Sequence, residues 1–153
     1  MRRKEKEITD RKLLDKALEE AKTCRIAMCD GDRPYVLPMN FGFKDGCIYL
    51  HAAKEGRKIE ILKKNPKICF EVETYAILKP VGENICNTGM RYFSVIGSGE
   101  AVFVNEEHEK KEALDTIMQK FAGKAHYEYS PDSLAKVVVL KIVIKEITGK
   151  KSE

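Results

Sequence analysis

Asp30-Gly31 and Asp45-Gly46 each lie between apolar runs, and this pattern restricts the chain more than any other feature. An Asp-Gly pair readily takes the positive φ that tight hairpin turns require, so each dipeptide predicts two antiparallel strands joined locally. The strands so defined cover residues 24–29, 34–43 and 47–51. Pro38 interrupts the second, which calls for an edge, a bulge or a bend, because proline has no N–H to give a ladder. In the third, alternation puts Ile48 and Leu50 on one face and Cys47, Tyr49 and His51 on the other.

The remaining chain extends this plan. Leu13, Leu14, Ala17, Leu18 and Ala21 recur at helical spacing over 10–22, with Thr9 or Asp10 as N-cap. A short helix follows Gly56 and stops at Asn65-Pro66. Residues 67–76 alternate as a strand with Ile68, Phe70 and Val72 inward, and residues 77–90 are irregular, with Pro80, Gly82, Asn87 and Gly89 as breakers. Residues 90–104 form a long strand in which Gly97 and Gly99 share a face, a sign of a bend or of something packed against the backbone. Asn105 caps a helix striped by Leu114, Ile117, Met118 and Phe121 and ended by Gly123. A loop over 124–132, an apolar strand over 135–147 and a charged tail over 148–153 complete the chain. About six strands joined mainly by hairpins, with flanking helices, predict an antiparallel α+β barrel. Regular strand–helix alternation is missing, which excludes a doubly wound parallel sheet.

Length and charge then bound the function. The 153 residues, 43% hydrophobic and 34% charged, are expected to form a single domain over 1–153. No run reaches the roughly 18 apolar residues of a membrane span, and the N-terminus lacks the apolar core of a secretory leader, so a cytoplasmic protein with no membrane partner is expected. Five scattered cysteines without a Cys-x-x-Cys argue against zinc and against a disulfide framework; four of them lie in apolar runs that suggest core positions. The net charge of +4 comes from 28 basic residues interspersed with 24 acidic ones, which suits a small anionic ligand better than a nucleic acid.

One stretch could hold such an anion. Residues 49–58 run from a strand through small residues to Gly56 and a helix start, with Lys54, Arg57 and Lys58 around the turn. The first N–H groups of a helix have no intrahelical acceptor, and the dipole there favours negative charge. An ordinary surface turn with solvated lysines has the same pattern. His51 lies three residues before Lys54, about 10 Å along an extended strand. It is therefore placed either to donate a proton or only to position a ligand. His108 and His126 fall in a helix start and a polar loop and receive no role.

Several blocks together resemble the pyridoxamine 5′-phosphate oxidase-like split-barrel flavoproteins, in their nitroimidazole-resistance (nitroimidazole reductase-like) branch. They are Pro38-Met39-Asn40-Phe41-Gly42-Phe43, His51-Ala52-Ala53-Lys54-Glu55-Gly56-Arg57-Lys58, Asn65-Pro66, Cys69-Phe70-Glu71-Val72, residues 90–99 and Ile147-Thr148-Gly149-Lys150. The resemblance implies a six-stranded split β-barrel that binds FMN at a homodimer interface and reduces a small substrate, such as a nitroaromatic 5-nitroimidazole. It implies phosphate contacts from the turn holding Ala52, Lys54, Gly56, Arg57 and Lys58. It lays Pro38, Met39, Asn40 and Phe41 along the flavin ring and makes His51 the catalytic candidate. Asn40 can serve a flavin edge or simply a turn, and Arg91 and Tyr92 either complete the pocket from the second subunit or form an interface pair. The family often has serine where this chain has Ala52, which removes one phosphate hydroxyl. A flavin-storing module without dedicated catalysis and a cofactor-less barrel acting as an interaction domain are the alternatives. The residues do not separate FMN from another flavin or a deazaflavin.

Overall fold

A computed structural model describes residues 2–81, 88–124 and 126–153. Asp10 starts the first helix, α1 (Arg11–Glu20), by accepting a hydrogen bond from the Lys12 N–H at 2.9 Å, and Leu14, Ala17 and Leu18 bury its inner face. A two-residue strand, β1 (Glu7–Ile8), precedes it. After it come β2 (Cys24–Asp30), β3 (Arg33–Met39), β4 (Gly42–Lys44) and β5 (Cys47–Ala53). Both Asp-Gly pairs turn hairpins as expected, and Asp45 and Gly46 each take positive φ, as a type I′ turn requires. Helix α2 (Arg57–Lys64), β6 (Lys67–Leu78), β7 (Met90–Val104), helices α3 (Glu107–Ala122) and α4 (Pro131–Lys136), and β8 (Val137–Ser152) complete the order.

The strands form one antiparallel sheet in the order β3-β2-β6-β7-β8-β5-β4, with β1 on β8. It has eight strands and its ladder is not closed, where the sequence predicted a six-stranded barrel. One extra strand is β1, and the other arises at Asn40 and Phe41: they break one apolar run into β3 and β4, which occupy opposite ends of the sheet order. A two-residue link spans at most about 11 Å between Met39 and Gly42, so the sheet must curl until its ends meet. It is split at that corner without being joined there by a ladder.

Other boundaries shifted for local reasons. The tail continues β8, because Ser94 pairs with Lys150 and Val95 with Gly149. Pro131 and the Ser130 cap start α4 where a loop and a strand were expected. Glu106, not Asn105, takes the N-cap position of α3, without a side-chain bond. In the irregular stretch, Gly82, Cys86 and Asn87 lie outside the described residues, while β6 extends to Leu78.

The main core fills the inner face of the curl, with Leu14, Leu18, Ile26, Phe41, Phe70 and Ile142 almost inaccessible to solvent. A smaller cluster of Val104, Leu114, Leu134 and Val139 lies outside the sheet under α3 and α4. Adjacent residues Val139 and Leu140 are both 0% exposed, so β8 is buried on two faces, which explains its β-branched sequence. Among the described cysteines only Cys24 is buried, and burial pushes its thiol up to about 12; Cys29 and Cys69 are exposed and Cys47 is half-buried. The expectation of core cysteines thus fails on strands whose outer face is open.

The close approach expected at the paired glycines is present. A Cβ on Gly97 would lie 2.4 Å from the Phe70 ring, and β8 bulges at Lys145, opposite Ser98 and Gly99. Gly97→Ala is therefore expected to destabilise the fold by about 1–3 kcal/mol through overpacking. Urea unfolding checks this, and an unchanged midpoint would contradict it.

Candidate functional site

Tyr49, His51 and Ala53 share the outer face of β5, while Leu50 and Ala52 face the core. Their backbones matter as much. Lys44 and Cys47 close the two-residue turn as a hydrogen-bonded pair, and Gly42 with Tyr49 is the next such pair. Tyr49, His51 and Ala53 therefore all direct their N–H and C=O groups toward the β4 side. Strand β4 begins only at Gly42, so His51 and Ala53 have no backbone partner on that side among the described residues. Both residues are exposed.

This open edge leads directly into the basic turn. Gly56 is the N-cap of α2 at φ +119, a conformation that side chains other than hydrogen resist, and no side chain caps the helix. Its carbonyl accepts from the Ile59 and Glu60 N–H groups at 2.9 and 3.2 Å, which leaves the N–H groups of Arg57 and Lys58 without intrahelical acceptors. Lys54 and Lys58 make no ion pair among the described residues. Arg57 does: its guanidinium lies 3.3 Å from an Asp30 carboxylate oxygen and 4.7 Å from the centre of the Tyr35 ring. Asp30 and Tyr35 thus anchor the start of α2 to the β2–β3 hairpin. Nothing in the spacing announces this pairing across 27 positions.

The link residues reach the same end of the sheet. The ladder ends where Gly42 faces Tyr49, and Asn40, two residues before Gly42, leads into that corner without a backbone bond to His51. Pro38 and Asn40 are exposed and Met39 is half-buried. Phe41 differs, since its side chain is 0% exposed in the core, and only its backbone faces the corner. Ala52, 6% exposed, likewise offers its backbone. Arg91 and Tyr92 lie elsewhere in the chain. Lys67, just after α2, pairs with Glu100, and Tyr92 is eight positions further along β7, roughly 27 Å away along the strand. There the Tyr92 ring lies 5.7 Å from the Lys6 ammonium and 5.5 Å from that of Lys150.

Outside this site, the Asp115 carboxylate accepts hydrogen bonds from Tyr129 Oη at 2.9 Å and the Tyr127 N–H at 3.0 Å, with His126 Nδ1 at 3.1 Å. Burial first, and then this bond to Asp115, raises the Tyr129 phenol above its ordinary range. The network ties the loop before α4 to α3. Among the described residues no three metal-ligating groups gather at one point, and no helix is long and apolar enough to cross a membrane.

The fold is a curled antiparallel sheet with flanking helices and an open basic edge, and comparison identifies its family. The family model described as pyridoxamine 5′-phosphate oxidase matches residues 10–151, and the chain belongs to that family. Among solved structures, it is similar to a candidate 5-nitroimidazole antibiotic resistance protein from Bacteroides thetaiotaomicron VPI-5482 at 32% identity, covering 94% of this chain and 85% of that one, with a TM-score of 0.84. A candidate pyridoxamine 5′-phosphate oxidase from Listeria innocua is 25% identical over 88% of this chain and 95% of that one, with a TM-score of 0.61. The FAD and heme binding protein from Mycobacterium smegmatis shares the fold at a TM-score of 0.87 but only 20% identity, over 97% of this chain and 74% of that one. Among curated proteins, none matches this chain.

Proposed function

We propose that this protein is a flavoprotein that holds FMN along the β5 edge and reduces a small substrate, with nitroaromatics as the first class to test. The carrying observation is the run of backbone donors without partners, from His51 and Ala53 to the start of α2, beside Lys54 and Lys58. Backbone N–H groups with two unpaired ammonium groups fit a phosphate, and an exposed strand edge fits the polar rim of a flat ring. Asn40, exposed in the link just before β4, carries both a donor and an acceptor for that rim. A flavin supplies the redox chemistry when bound. The protein's part is to orient the ring and to hold a proton on His51 for a substrate oxygen. The nitroaromatic class draws its support from the relative at 32% identity.

One observation favours a second reading, a flavin-holding module without turnover. The His51 imidazole has no hydrogen-bond partner among the described residues to fix its tautomer, as general acids usually have. Reductive turnover by the flavin-loaded protein with candidate acceptors separates the two. Turnover above free flavin supports the enzyme, and none supports the module.

The proposal includes a homodimer. Ile96 and Val102 stand 49% and 48% exposed on the outer face of β7, and Ile96 lines an open depression of about 400 Å³ between Cys69 and Thr148. A second copy covering this wall would bury the apolar band and could bring its Arg91 and Tyr92 to the flavin. Sedimentation of the flavin-loaded protein at micromolar concentration is expected to give twice the 17.4 kDa chain mass; a monomer would contradict the shared pocket.

A further inference from the structure

Lys120 has no part in the site described above, yet it reaches the residue next to it. From the last turn of α3 its ammonium nitrogen donates to the Leu18 carbonyl at 2.7 Å and lies 3.2 Å from the centre of the Phe41 ring. Lys22, just beyond α1, answers by donating to the Lys120 carbonyl at 3.2 Å. Two helix C-termini are thus each capped by a lysine associated with the other, a favourable use of cations at negative dipole ends. The Phe41 ring sits beneath one of those cations, and Phe41 is half of the two-residue link that closes the curl.

We propose that Lys120 is a positioning residue for the flavin: its cation, tethered to Leu18, seats the Phe41 ring and thereby sets the Pro38–Met39–Asn40 segment against the cofactor. This rests on the flavin reading above. Phe41 cannot turn without moving Asn40, because its ring is 0% exposed and its backbone joins β3 to β4. The neutral amine can still donate to Leu18, so the charge-specific part of the latch is the ring contact.

That charge titrates in a useful range. Burial first, and then the neighbouring Lys22 ammonium, push Lys120 down to about 7. Glu19 on α1 acts in the other direction, the Cys24 thiol on β2 lies nearby, and Lys44 of β4 faces the same 280 Å³ cavity. The thiol, pushed up to about 12, stays neutral throughout the window. The two consequences of deprotonation have opposite signs. The folded protein releases this proton at a lower pH than the unfolded chain, so global stability rises with pH between about 7 and the ordinary lysine value. Flavin affinity falls around pH 7, where the folded protein loses this proton, because the ring loses its cation. A merely structural lysine would move affinity and stability together.

The test is flavin affinity, read by fluorescence quenching, from about pH 6 to about pH 8.5 for wild type, Lys120→Met, Lys120→Arg and Phe41→Leu. Riboflavin is titrated beside FMN, since the FMN phosphate takes up a proton near pH 6. Wild type is expected to weaken by about tenfold across the window with either flavin. Lys120→Met is weak at every pH, and Lys120→Arg keeps the low-pH affinity throughout. If either lysine variant fails to fold, Phe41→Leu decides, because without the ring face the pH dependence disappears. Wild-type behaviour in Lys120→Met or in Phe41→Leu overturns the latch and leaves the flavin reading intact. No flavin bound by wild type at any pH overturns the flavin reading and the latch with it.

Discussion

His51→Ala is expected to bind FMN almost as wild type does while losing about 10²-fold or more in reductive turnover. The expectation follows from where His51 sits. Its backbone serves the open edge of β5 and survives the substitution, whereas its imidazole points from the exposed outer face. Cofactor contact and proton delivery therefore belong to different atoms of one residue. Flavin affinity and turnover per bound flavin must be measured separately. Weak binding with turnover per bound flavin preserved would make His51 a residue that only positions the cofactor.

Replacing Lys54 and Lys58 together by alanine is expected to weaken FMN by about 10²-fold, since charge-assisted hydrogen bonds are each worth about 1.5–3 kcal/mol. Riboflavin affinity should scarcely change, because it carries no phosphate. Arg57→Ala is a different experiment, as its guanidinium already engages Asp30 and Tyr35 and its loss loosens the start of α2. A double variant that weakens both flavins equally would mean that the lysines shape the turn and do not read the phosphate.

Much of this arrangement is legible in the residues, and the parts that are not share a physical cause. The Asp-Gly hairpins, the helix over Arg11–Glu20 and the close approach at Gly97 are local, and local chemistry announces them. The basic turn is also local, and the structure places it where a helix begins. What escapes the sequence is set by partners far along the chain. Phe41 reads like its neighbours Pro38 and Met39, but its side chain belongs to the core under Lys120. Arg57 reads as one more phosphate cation, and its engagement with Asp30 is visible only after folding. The tail over 148–153 reads as solvated charge, and its pairing with β7, far earlier in the chain, appears only after folding. Arg91 and Tyr92 belong near the flavin only if a second copy brings them, and no property of a single chain contains that geometry.

The most direct measurement is a side-by-side titration of the wild-type apoprotein with FMN and riboflavin. An open edge that ends in a phosphate cradle predicts FMN binding tighter than riboflavin by about tenfold or more. Equal affinity for the two flavins, or binding of neither, would contradict the assignment of the β5 edge and the α2 start as a phosphate-anchored flavin site.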